Sequence, residues 1–199
     1  MRAELRLPRR ATYADYIAAE QNSECRHEFI DGVIVAMAGG SDEHNAIAWR
    51  FGVVFGARLS RGCRGYTADQ RFWIAANRRG RYSDGSIIWG SPEHPPHDDQ
   101  ATTNPAVIVE VLSPSSEGDD EGDKRRDFQS LTSLQAYVIA AQDAGLVSVY
   151  RRDERGRWRD EPDVYRDGES FELPTLTRAI AVDDVYDDIL DAAGRSLLR

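Results

Sequence analysis

Lysine is almost absent from this 199-residue chain: of its 25 basic residues, 24 are arginine and only Lys124 is lysine. A codon bias toward arginine explains the skew as a whole. What it leaves over is one position where a compact, reorientable ammonium is kept, which marks Lys124 as a candidate for chemistry. Cysteine is scarce as well. Cys25 and Cys63 are too few for a disulfide framework and lack the CxxC or His/Cys spacing of a zinc site, so both are expected to be reduced thiols. No apolar run approaches the roughly 18 to 20 residues of a bilayer-spanning helix, which argues against an integral membrane protein. Residues 1–10 carry charge but neither an apolar stretch nor a small-residue cleavage site, so a cytoplasmic location is expected rather than secretion. Repeats, heptads and low-complexity tracts are also missing.

What is present suits one domain with one core. The length is enough to bury roughly two-thirds of the surface that the unfolded chain exposes. A net charge of −9 excludes a protein that coats nucleic acid through a bulk positive field, since such binders owe their affinity to neutralised phosphates. It does not exclude a nucleic-acid enzyme, because carboxylates gathered around a divalent cation are locally acidic and the metal faces the phosphate.

Thr12 before Tyr13–Glu20 predicts a short helix, with Asp15 as the acidic partner of a capping box. Asp31-Gly32 between Arg26–Ile30 and Val33–Met37 predicts a tight hairpin. Ser41, Asp42 and Glu43 open a helix on which Ile47, Phe51, Val54, Phe55 and Leu59 recur at helical spacing, a face that should pack on a sheet. Gly65–Ile74 then reads as one strand, Asn77–Arg81 as a basic turn, Ser83–Trp89 as a second strand and 91–104 as a loop. Ala106–Leu112, apolar on both faces apart from Glu110, has the pattern of a central strand buried on both sides. Ser113–Ser116 interrupts it, Asp119–Leu131 predicts a charged helix, and Ala136–Ala140 is another apolar strand, so a right-handed parallel crossover is expected. The remainder reads as an antiparallel meander, Leu146–Tyr150, Arg157–Tyr165 and Ser170–Leu173, with Arg151–Arg157 as a solvated hairpin tip, before a helix at about 183–190.

Glu110 is the residue that most needs an explanation. A carboxylate inside a strand of Ala, Val, Ile and Leu would cost several kcal/mol if buried unpaired, so it requires a cation, a metal or a proton. An arginine partner would satisfy it, and Asp84 alone would pass for turn chemistry. Together with Lys124 they suggest more. Adjacent strands could bring Asp84 and Glu110 to one sheet end, and a helix entered just after Glu110 could return Lys124 over that end. Two carboxylates and an ammonium are the groups needed for metal-assisted phosphodiester hydrolysis.

The ordered set Arg26-His27-Glu28-Phe29-Ile30-Asp31-Gly32, Gly39-Gly40-Ser41 with His44, Tyr66-Thr67-Ala68-Asp69, Tyr82-Ser83-Asp84, Ile108-Val109-Glu110-Val111-Leu112-Ser113-Pro114-Ser115, and Asp120 with Lys124 resembles the Uma-type restriction endonucleases of the PD-(D/E)xK nuclease superfamily. The resemblance runs from about residue 12 to residue 190. It implies an α/β restriction-endonuclease-like core, a central mixed β-sheet flanked by helices, with an added N-terminal hairpin and a C-terminal antiparallel meander. It places Asp84 at the PD aspartate and Glu110 at the (D/E)xK acid, and, with Leu112 where the lysine would stand, it implies that Lys124 supplies the ammonium from the following helix. Asp84, Glu110 and the carbonyl of Val111 would bind Mg²⁺ or Mn²⁺; Glu28 and His44 would take auxiliary roles, Asp69 a weaker one. The substrate implied is DNA, and a homodimer is the expectation for a nuclease that must address two strands. Ser83 replaces the usual proline and Gly85 a β-branched residue, departures that speak for one rival, a degenerate binding module of the same fold. A second rival, a hydrolase of small phosphoesters, fits the acidic charge.

Overall fold

The computed structural model describes residues 10–112 and 122–198. Helix α1 (Tyr13–Asn22) begins at Thr12 with the expected capping box, the Thr12 side chain accepting from Asp15 N and the Asp15 carboxylate accepting from Thr12 N. The hairpin follows as β1 (His27–Ile30) and β2 (Val33–Ala36), its two turn residues both left-handed, Asp31 at φ 51° and Gly32 at φ 81°. Such a turn matches the twist of paired strands and needs residues that tolerate positive φ. Helix α2 (Asp42–Gly56) is capped by Ser41 and buries Ile47, Phe51, Val54 and Phe55. Leu59 lies beyond its end and bridges to Leu176.

The next stretch departs from expectation. Gly65–Ile74 is not one strand but two, β3 (Cys63–Thr67) and β4 (Arg71–Ile74), which enter different sheets. A turn closed by Gln70 N donating to Thr67 O separates them. The predicted basic turn is also corrected: Arg79–Tyr82 is a strand, β5, with Arg81 almost completely buried, because carboxylates reach it inside the molecule. Strands β6 (Gly85–Trp89), β7 (Ala101–Thr102) and β8 (Pro105–Leu112) come next. Of the predicted helix at 119–131, the described part is α3 (Asp123–Gln129); residues 113–121, with the Ser113–Ser116 break and Asp120, lie outside the described residues. Strand β9 (Ala136–Ala141) runs parallel to β8, as the crossover requires.

After β10 (Leu146–Arg151) and β11 (Asp163–Arg166) the meander stops, since β12 (Ser170–Phe171) pairs instead with β13 (Ile180–Ala181). Helix α4 is shorter than expected, Val182–Tyr186. The hairpin tip is exposed at 154–157, as expected, while at its base Arg152 donates to Leu134 O and Leu131 O and Arg151 to Asp163.

The central six-stranded mixed sheet has the order β11-β10-β9-β8-β6-β3, and a five-stranded sheet has the order β2-β1-β5-β4-β7. Strand alternation decides which side of β8 faces what. Val107, Val109 and Val111 pack with Ile47, Phe51 and Val54 of α2 and Val185 of α4. Ile108 faces the other way, into a second cluster with Phe128 of α3 and Phe72 and Ile74 of β4. Each such side chain, fully buried, contributes about 1.5–3 kcal/mol. The same alternation directs Glu110 to the α3 side.

Candidate active site

Asp84 stands on the two-residue link between β5 and β6, where the chain passes from one sheet to the other. The β6–β8 ladder ends at the pair Gly85 and Val109. One step further Asp84 N donates to Val109 O at 3.1 Å, and the next free edge group of β8, Val111 N–H, donates to Asp84 Oδ2 at 2.7 Å. The carboxylate thus finishes the ladder where the sheets diverge. Since the N–H and C=O of a strand residue leave on the same side, the Val111 carbonyl is directed to this edge too.

The other Asp84 oxygen accepts from His44 Nε2 at 3.0 Å. His44 occupies the first turn of α2, where its own N–H donates to the Ser41 cap at 3.2 Å. Gly40 makes room for it: a Cβ there would lie 2.5 Å from His44 Cδ2. Within the Gly39-Gly40-Ser41 string, Gly40 and Ser41 therefore seat an imidazole against a carboxylate. Burial pushes the Asp84 carboxyl up, but the His44 hydrogen bond and charge, the Lys124 charge and the Val111 N–H together hold it below the usual carboxylate range.

Glu110, 1% exposed, accepts at Oε2 from Lys124 Nζ at 2.9 Å. Lys124 is itself buried, on the face of α3 that also carries Asp127 and Phe128. Behind this pair lies an ionic row that sequence reasoning missed. Arg81 donates to Glu28 Oε2 at 2.6 Å and to Asp127 Oδ2 at 2.9 Å, while Arg79 donates to both Asp127 oxygens at 3.0 Å and Asn77 to Oδ1 at 2.8 Å. Two signals were available for it: the alternation Arg79-Gly80-Arg81-Tyr82, which suits a strand, and Asp127 three residues after Lys124, hence on the same helix face.

The structure accordingly brings together Asp84, His44, Glu110, Val111 and Lys124. Glu28 sits in the adjoining row, where it accepts from Arg81 and from Tyr82 N and so braces the strand that delivers Asp84. Asp69 is apart, on an exposed turn, paired with Arg26. Among the described residues no group of three or more His, Cys, Asp or Glu is placed to hold a metal ion. The donor chemistry nevertheless suits a hard divalent cation: Mg²⁺ takes one or two carboxylates and completes its shell with water and substrate phosphate. Asp84, Glu110 and the Val111 carbonyl are an oxygen-only set of that kind. No helix among the described residues is long and apolar enough to cross a membrane.

A family model described as "Uma2: Putative restriction endonuclease" matches residues 13–183. Two proteins of Synechocystis sp. are similar along most of their length. "Uncharacterized protein slr1290" is 30% identical over 176 residues, 86% of this chain and 89% of that protein; "Uncharacterized protein sll1609" is 30% identical over 148 residues, 74% and 84% respectively. The fold is similar to a crystal structure described as a "putative nuclease belonging to DUF820" from Anabaena variabilis ATCC 29413, with a TM-score of 0.64 at 18% identity, covering 84% of this chain and 93% of that one.

Proposed function

This chain belongs to the Uma2 family, and we propose that it acts as a divalent-metal-dependent endonuclease that hydrolyses DNA phosphodiester bonds in the cytoplasm. The observation that carries the reading is the convergence of Asp84 with the Glu110–Lys124 pair at the end of β8. Asp84, Glu110 and the Val111 carbonyl would hold Mg²⁺ or Mn²⁺, which supplies Lewis acidity and a lowered pKa for bound water. His44 orients the Asp84 carboxylate and keeps it ionised. Lys124, aimed by Glu110, presents an N–H to the attacking water and to the charge that builds on the phosphate, in a site shielded enough for such a donor to count. Glu28, Arg81 and Asp127 hold β5 and α3, and therefore Asp84 and Lys124, in register.

Cleavage of supercoiled plasmid and of labelled oligonucleotides with Mg²⁺, Mn²⁺ or EDTA tests this. The wild type should cut only with the metals, and Asp84→Asn and Glu110→Gln should each lose activity by about 10²-fold or more while melting normally. Duplex binding without cleavage in any divalent metal would replace the reading with that of a binding module. Hydrolysis confined to short nucleotides would replace it with that of a small-phosphoester hydrolase.

A further inference from the structure

Beside Asp84, between the outer flank of α2 and the edge strand β3, runs a groove of about 500 Å³. Its roof is α2, from which Trp49 is 72% exposed and Val53 46% exposed. Its floor is sheet almost bare of side chains. Gly65 is registered with Ile87, and Thr67 with Gly85; Ile87 packs toward α2, so this row faces α2. A Cβ on Gly65 would meet nothing closer than Leu59 Cδ1 at 3.9 Å, and one on Gly85 nothing closer than Val109 Cβ at 3.8 Å. On the roof, a Cβ on Gly52 would meet no atom within 4 Å. The groove is therefore space that the fold does not need.

We propose that this groove receives an unpaired nucleobase of the strand whose phosphate lies on Asp84, so that the substrate is single-stranded or locally opened DNA. The inference rests on the nuclease reading and adds the substrate class to it. Two features select a base as the occupant. The groove is continuous with the candidate site, Asp84 being one of its lining residues, and among the described lining residues Asp84 is the one that carries charge. Among the described residues no arginine lines the groove, which sets it apart from a track for the phosphodiester backbone. An apolar groove with the exposed Trp49 ring on its roof suits a stacked base, which binds through its π-face whatever its identity. A base paired and stacked within duplex DNA cannot enter such a slot; it must first leave the stack.

The test compares the full-length protein with Trp49→Ala and Gly65→Val, using fluorescence anisotropy in Ca²⁺ to avoid turnover. The ligands are a fluorescein-labelled oligothymidylate, an abasic strand of the same length and a blunt duplex. The wild type should bind the oligothymidylate about tenfold or more tightly than the abasic strand, as expected for a stacked base, and both variants should erase that preference. Gly65→Val puts a branched side chain into the groove, where a Cβ has room, and Trp49→Ala, at an exposed position, keeps the test decisive should the valine variant misfold. Equal binding of the two strands by the wild type, or a preference that survives Trp49→Ala, overturns the proposal. An oligomer dispersed by either variant assigns the groove to a second copy and overturns it as well. Cleavage of the same strands in Mg²⁺ is read separately: cutting without base preference removes the groove and keeps the nuclease, and base preference without cutting does the reverse.

Discussion

A lysine inside a protein that otherwise uses arginine is explained by its surroundings. Lys124 lies against Glu110 with little solvent around it, and a buried ion pair of this kind is a poor device for stability, since desolvating both charges offsets most of their attraction. Its value is positional. If the ammonium serves the reaction, Lys124→Arg should be nearly as damaging as Lys124→Ala, because the planar guanidinium keeps the charge but misplaces the donor by about an ångström. Turnover in the nicking assay should fall about 10²- to 10³-fold in both. Near-normal activity of the arginine variant with a dead alanine variant would reduce Lys124 to a generic positive charge. The residue was legible in the sequence through its rarity, and Glu110 through its misfit in an apolar strand. His44 emerged only through a family resemblance, because nothing in the order of residues shows that Gly40 clears a seat for its ring against Asp84.

At the scale of elements, the strands and helices with strong periodicity and the parallel β8–β9 crossover were readable, while the division of the chain between two sheets was not. The capping box, the Asp-Gly hairpin, α2, β8 and β9 follow from local chemistry that tertiary contacts reinforce. The division of 63–74 between two sheets follows from different partners, β3 pairing with β6 and β4 forming a hairpin with β5, and the burial of Arg81 in β5 depends on Glu28 and Asp127, both remote in sequence. The long loop 91–104 is a further case, because its anchor is a non-local cluster. Asp98 accepts from Arg71 at 2.7 Å, from the Tyr13 hydroxyl and from Ala101 N at 3.2 Å, tying the loop to β4 and α1. Burial pushes the Asp98 carboxyl up, but the Tyr13 and Arg71 hydrogen bonds and the Arg71 charge outweigh it and hold the pKa below its ordinary value. A carboxyl depressed on folding adds stability above its unfolded pKa, near about 4, and loses it as the pH falls through the folded value. Melting temperature should therefore drop on acidification below about pH 4, and Asp98→Asn should flatten that slope while costing about 3 kcal/mol at neutral pH. Thermal melts of both proteins across pH check this; an unchanged acid slope in the variant would remove Asp98 from the account.

For the whole molecule, the acidic net charge and the nuclease reading are compatible only if the positive charge that meets the phosphate is local. In the proposed site Lys124 would supply part of it, and a divalent cation held by Asp84 and Glu110 would supply the rest. The two sheets meet at this point: one brings β8 with Glu110 and Val111, the other delivers Asp84 from β5, and α3 adds Lys124 beside Glu110. The most direct measurement is calorimetric titration of Mn²⁺ into the wild type, Asp84→Asn and Glu110→Gln, with circular dichroism to show that all three are folded. Each substitution removes one anionic ligand and preserves shape, so saturable binding in the wild type should weaken at least tenfold in either variant. Equal Mn²⁺ binding by all three proteins would contradict the account and place the metal away from these carboxylates.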